Sequence, residues 1–197
     1  MDRAGRISTR YDKLHLVPFG EYIPLKKVFP FLQSVAPIGD IERGREYTIF
    51  RIPNKFQEQR LFGVLICFED LFPELSRGFV KRGAQFLVNI TNDAWYKKTS
   101  AAGQHFQASV FRAVENRLWL ARAANTGVSG FVSGEGKIRS LVTGAEKEKI
   151  FVEGFRIESI HSGNRLFSFY SRFGDIFIIA CFLFVLYAII RLRKNKP

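Results

Sequence analysis

The sequence predicts an α/β domain built on a mixed sheet, followed at its C-terminal end by one membrane-spanning helix. Three observations predict it. Strand-length apolar runs alternate with helical patterns, giving two strand–helix–strand steps and then a hairpin. Residues 176–190 carry no charged side chain at all. Finally, 47% of the 197 residues are apolar, 21 of them phenylalanine, which is enough to bury a substantial core and excludes long disorder.

The opening residues, MDRAGRISTRYDK, hold no apolar core and are no secretory leader. Residues 2–5 read as a turn and 6–9 as the start of a strand, so further chain is expected before Met1. A strand is expected at 47–52. RLFGVLIC, 60–67, reads as a buried strand because its apolar side chains do not alternate cleanly with polar ones. Pro73 suits a first helical turn and Glu74 its positive end. Leu75, Phe79 and Val80 form the apolar stripe of that helix, and Gly83 stops it. The next strand is expected at 84–90. A second helix follows over 103–117, with Phe106, Val110, Ala113, Val114 and Arg117 along one face. LWLARAA then leads through NTGVSGFV and the turn SGEG to KIRSLV, and 149–157 is expected as a last strand.

From Phe173 to Leu192 the run FGDIFIIACFLFVLYAIIRL supplies about twenty residues, or ~30 Å of helix, which matches a bilayer core. Nothing in it has the period of a helix with one wet face. Arg191 stands near one end, where it can snorkel. The basic tail RLRKNKP follows at once and places the C-terminus in the cytoplasm, with the preceding domain on the other side. The expected division is 1–170 for the globular domain and 171–197 for the membrane helix and tail.

The formal net charge is +12, but the 30 basic residues are mostly scattered. Charge alone favours a nucleic-acid partner, so none is expected. The two cysteines, Cys67 and Cys181, form no disulfide framework. His15, His105 and His161 have no recognised metal spacing, and neither a metal nor a cofactor is expected.

Chemistry concentrates at Cys67. It ends a strand just before a proline-initiated helix, a corner that presents a side chain at the sheet edge beside backbone donors. A free thiol titrates near ~8.5, so a nucleophilic cysteine needs a base or a nearby cation. Taken alone, Cys67 fits a packed core position at least as well. Its surroundings favour chemistry. Glu69 and Asp70 follow within three residues, and a buried carboxylate demands partners. Upstream, YDKLHLVPFGEYIP sets Lys13, His15 and Glu21 among apolar residues. An ammonium beside Cys67 would stabilise a thiolate and an oxyanion alike. FLVNITNDAW adds Asn92, Asp93 and Trp95 at another strand end, where active-site loops gather or simple turns form. A pairing of His105 with Cys67, oriented by Asn125, is the protease-like alternative.

Four blocks in order, RYDKLHLVPFGEYIP, GVLICFEDLFPELSR, FLVNITNDAWY and QHFQASVFRAVENRLWLARAANTGVSG, resemble the C-terminal part of the apolipoprotein N-acyltransferases. These belong to the nitrilase (carbon–nitrogen hydrolase) superfamily. The likeness covers essentially 1–190. It implies part of a nitrilase-like α-β-β-α sandwich followed by one transmembrane helix. It also implies that Cys67 is the acyl-accepting nucleophile, Lys13 the catalytic lysine and Glu21 a carboxylate near it. Glu69 is then the carboxylate two places past the nucleophile, and Trp95 the aromatic of the active-site loop. Phe68 stands where the family often has tyrosine, and YKK follows where glycine is usual; Asn92, Phe68 and Trp95 would line the substrate cleft.

The reaction implied is transfer of a fatty acyl group from a phospholipid donor to Cys67. The thioester then passes it to the α-amine of a diacylglyceryl-modified apolipoprotein, at the bacterial inner membrane. The family's general-base glutamate and several membrane helices lie before the lysine block. The chain is therefore expected to act as a C-terminal part that needs those segments. Two alternatives are an amide hydrolase using water as acceptor and an inactive membrane-bound remnant.

Overall fold

The computed structural model describes residues 9–26, 28–31, 41–161 and 167–194. The expected turn at 2–5 and most of the strand at 6–9 lie outside them, and Thr9 is in no strand. Six strands form one sheet in chain order: β1 (Phe50–Pro53), β2 (Gln59–Ile66), β3 (Phe86–Thr91), β4 (Trp119–Ala124), β5 (Gly130–Val132) and β6 (Ile138–Leu141). β2, β3 and β4 run parallel; β1, β5 and β6 are joined antiparallel at the two sides. Helix α1 (Pro73–Lys81) crosses from β2 to β3, and α2 (Ala101–Asn116) from β3 to β4. Two successive crossovers of one hand, each to the adjacent strand, put both helices on one face.

That face changes character along the strands. Gly63, Leu87, Leu120 and Val132 stand side by side in register, and the last three are fully buried under Phe79, Leu75 and Phe106. Two residues further toward the strand ends the same row reads Leu65, Asn89, Arg122 and Gly130. The core thus turns polar where the loops leave the sheet. On the opposite face a row of rings, Phe50, Phe62, Phe86 and Trp119, crosses four strands, with Phe62 stacked 5.3 Å from Phe50 and 5.1 Å from Phe86. β2 is accordingly sealed on the helix face and only half-covered on the ring face; its unbroken apolar run reflects two differently buried sides.

Several expectations are corrected. Residues 149–157 form no strand: Phe151 adopts a left-handed φ of 56°, which breaks an extended run, and its amide donates to Thr126 O instead. β1 begins at Phe50 because Tyr47 turns inward, its ring 5.0 Å from that of Phe79. α2 starts at Ala101, and its inward face carries His105, Phe106, Ser109, Arg112, Ala113 and Asn116. Val114 and Arg117, expected on that face, are exposed.

The chain then enters a short helix, α3 (Phe169–Phe173), and a long one, α4 (Ile176–Lys194). α4 starts later than expected because Gly174 takes φ +66°, a conformation that interrupts the helix. Its 19 residues rise about 28 Å, it is apolar enough to cross a membrane, and none of residues 176–193 is buried against the domain.

α3, by contrast, is clasped by the domain. Ser168 caps it by accepting from the Ser171 amide, and its hydroxyl donates to Glu115 O. Ser171 Oγ donates to Asn116 Oδ1 at 2.9 Å, and Arg77 donates to the carbonyls of Ser171 and Arg172. A Cβ on Gly174 would meet the Arg77 guanidinium.

Candidate active site

Cys67 opens a five-residue 3-10 turn directly after β2 and holds φ at +53°. A left-handed conformation at a residue with a Cβ costs about 1–2 kcal/mol, so other contacts must hold it. Two side chains do. Asn89, in the polar row of the sheet, donates from Nδ2 to Cys67 O at 3.2 Å and to Leu65 O at 3.3 Å. Glu69 folds back and accepts from the Ile66 amide at 2.7 Å. The thiol is left half-buried, with Sγ 4.0 Å from Asn92 O.

Glu69 also reaches across the chain. Its fully buried carboxylate accepts from the amides of Leu14 and His15 at 2.6 and 3.0 Å and from Tyr11 Oη at 3.0 and 2.9 Å. Residues 11–15 are thereby fastened to the turn that bears Cys67. Burial, and then the Glu69 charge, push the Tyr11 phenol well above its ordinary range. From the other side the Gly44 amide donates to Lys13 O at 2.7 Å and Arg43 Nε to Leu14 O at 2.5 Å. Lys13, only 8% exposed, sits within this clamp. Its Nζ donates to both oxygens of Glu21 at 2.6 and 2.7 Å, and the Val17 amide donates to Glu21 Oε2 at 2.9 Å.

Lys13, Glu21, Cys67, Glu69 and Asn92 are therefore gathered at one end of β2 and β3. Asn92 closes its own loop, accepting from the Ala94 amide and from Asn125 Nδ2. Phe68 is half-buried, its ring 5.7 Å from that of His105. Trp95 stands on the single turn Ala94–Tyr96 and is 80% exposed. Glu21 accepts from Lys13 and Val17, and Glu69 from Tyr11, Leu14, His15 and Ile66, so among the described residues the thiol's hydrogen-bond partner is Asn92 O rather than either carboxylate.

Beneath the cysteine turn lies a network that the sequence reading passed over. His105 Nε2 is 2.8 Å from Asp70 Oδ1, and Nδ1 is 2.8 Å from Asp93 Oδ1. Arg122 donates to Asp70 Oδ2 at 2.6 Å, Asp93 Oδ2 at 3.1 Å and Asn89 Oδ1 at 2.7 Å. Ser109 Oγ donates to Asp70 Oδ2 at 2.5 Å, and Thr91 Oγ1 to Asp93 Oδ1 at 3.0 Å. Burial works to raise the Asp93 pKa, but the His105 hydrogen bond and the Arg122 charge outweigh it and hold the carboxyl below its usual value. Both His105 nitrogens are occupied, so the Cys67–His105 pairing is not formed. A signal was present: His105, Ser109, Arg112 and Asn116 recur at helical spacing, a polar stripe that turns inward.

The chain belongs to the carbon–nitrogen hydrolase family, whose model matches residues 1–163. Within it, the curated relatives found are apolipoprotein N-acyltransferases. The chain is 44% identical over 178 residues to that of Geobacter metallireducens, covering 90% of this chain and 32% of that protein. It is 37% identical to that of Thermotoga maritima, covering 88% and 32%, and 33% identical to one of Treponema denticola, covering 94% and 33%. The chain thus spans about a third of the length of the relatives it matches.

Proposed function

We propose that residues 1–170 carry the nucleophile and oxyanion site of an apolipoprotein N-acyltransferase, and that 171–197 anchor it in a bacterial inner membrane. The observation that carries the reading is the Glu69 clamp. One carboxylate fastens the Lys13 segment to the Cys67 turn, so an ammonium and a thiol share one strand end. The choice of acyl donor and acceptor follows the relatives. It is supported by apolar side chains exposed around the Glu21 loop, Phe19, Leu25, Val28 and Phe29, and by the membrane-length helix that follows.

In the first half-reaction Cys67 Sγ attacks the ester carbonyl of a glycerophospholipid. The S–acyl bond forms, the C–O bond breaks, and the thiol proton ends on the departing lysophospholipid hydroxyl. In the second, the α-amine of a diacylglyceryl-cysteine attacks the thioester, an amide forms, and a proton returns to sulfur. Lys13 faces the oxyanion of each tetrahedral intermediate, with Glu21 fixing its position. Glu69 holds both partners without touching substrate, and Phe68, Asn92 and Trp95 shape the mouth. The carrier of the proton between sulfur and leaving group belongs, in this reading, to the part of the relatives that this chain does not span.

Intact-mass measurement of the full-length protein after mixing with phosphatidylethanolamine vesicles tests this. An acyl mass on Cys67 is expected, discharged by a lipopeptide with a free α-amine and absent in Cys67→Ala. Release of ammonia from a small amide, with no acyl mass, would make the protein an amide hydrolase instead.

A further inference from the structure

We infer that His105 is a positioning residue, present as an imidazolium whose two N–H groups donate to Asp70 and Asp93 and so lock the cysteine turn to the Asn92 loop. The argument is one of donors and acceptors. A neutral imidazole donates from one nitrogen and presents a lone pair at the other. Here each nitrogen meets a carboxylate oxygen at 2.8 Å. A neutral ring would set one lone pair against an anion in a site where His105 is 3% exposed and both aspartates no more than 1%. With the ring charged, both aspartate contacts are complementary, and each aspartate's second oxygen is taken by Arg122.

The groups facing His105 come from every element packed on it: Asp70 from the cysteine turn, Asp93 and Tyr96 from the loop after β3, and Arg122 from β4. Arg122 Nη2 also lies 3.0 Å from Nδ1, a donor beside a donor once the ring is charged, and the two cations share Asp93, Nδ1 at Oδ1 and Nη2 at Oδ2. Two carboxylates balance a guanidinium and an imidazolium. Burial pulls the His105 pKa down, yet the hydrogen bonds to Asp70 and Asp93 and the Asp70 charge carry it up to about 9.

The consequence reaches the sulfur by two short routes. Asp70 is three residues past Cys67. Asp93 follows Asn92, whose carbonyl lies 4.0 Å from Sγ, and Arg122 holds the Asn89 amide that grips Cys67 O. His105 therefore acts on Cys67 through the backbone and never contacts the reacting atoms. That it bears on acyl transfer rests on the function proposed above; its charge and its bonds do not.

The test has two arms on the full-length protein in detergent. In the first, histidine-selective 15N NMR follows the His105 ring. Both nitrogens are expected to be protonated at pH 7, with deprotonation only as pH approaches about 9. One unprotonated nitrogen at pH 7 overturns the inference, whatever the protein's substrate. In the second arm, thioester formation on Cys67 is compared among variants. His105→Gln leaves an amide oxygen facing a carboxylate and is expected to slow acylation about tenfold or more, the effect of a misplaced reacting group. Adding Asp93→Asn restores donor against acceptor and keeps the charge balanced. Recovery of most of the lost rate supports the inference; a double variant no faster than the single one overturns it. Loss of the NMR signature with normal acylation, or the reverse, separates a failed inference from a failed function.

Discussion

Glu69 is a buried carboxylate with no cation among the groups that donate to it. Among the described residues, three backbone amides and one phenol donate to it. Each bond to a charged acceptor contributes about 1.5–3 kcal/mol, and a donor left facing a donor costs a comparable amount. In Glu69→Gln the new amide group must confront either the Ile66 amide or those of Leu14 and His15. The expected loss is about 2–4 kcal/mol, read as a lowered midpoint of urea unfolding. Tyr11→Phe, which removes one donor and sets no donor against another, is expected to lose about 1.5–3 kcal/mol, the low end of the Glu69→Gln effect or less. At this scale the sequence was informative where charge sat in apolar company: Lys13, Glu21, Cys67 and Glu69 were all singled out on that ground. It marked Asp70 with Glu69 as a carboxylate in need of partners but named none of them, and it was silent on Arg122, which looks like an ordinary surface charge until residues tens of positions away are brought against it.

Among the elements, the strand–helix alternation from β2 to β4 was legible because each step buries its own apolar run. The inward face of α2 was legible only in part. The hydrophobic pattern found Phe106, Ala113 and Val110, which pack in or against the core, but it added the exposed Val114 and Arg117 and missed the buried polar stripe of His105, Ser109, Arg112 and Asn116. The same stripe makes stability depend on pH. The His105 pKa rises from its ordinary 6.5 to about 9 on folding, so its contribution is complete below 6.5 and is lost as pH climbs through about 9. A loss of the order of a few kcal/mol in unfolding free energy is expected across that interval. Denaturant titrations at a series of pH values check it, and His105→Gln is expected to flatten the profile. The missing strand at 149–157 shows the opposite lesson: one residue in left-handed backbone, Phe151, outweighs an apolar pattern, and nothing in its side chain announces it.

For the whole molecule, the membrane helix was the plainest feature of the sequence, since a charge-free run of that length has few other uses. Its basic end is expected to lie in the cytoplasm, so that a reporter enzyme fused after Pro197 is active only if it works there; activity of a reporter requiring export would reverse the orientation. What sequence could not reveal is how the helix meets the domain, because Ser168, Ser171, Asn116 and Arg77 are unremarkable polar residues until the fold clusters them. α3 is held by Glu115, Asn116 and Arg77, whereas none of residues 176–193 is buried against the domain, so Gly174 and Asp175 form the junction between a clasped helix and an uncovered one. With α4 in a bilayer, as proposed, the clasped turn of α3 would fix how high the sulfur stands above the lipid, and the glycine junction is where its bearing could change.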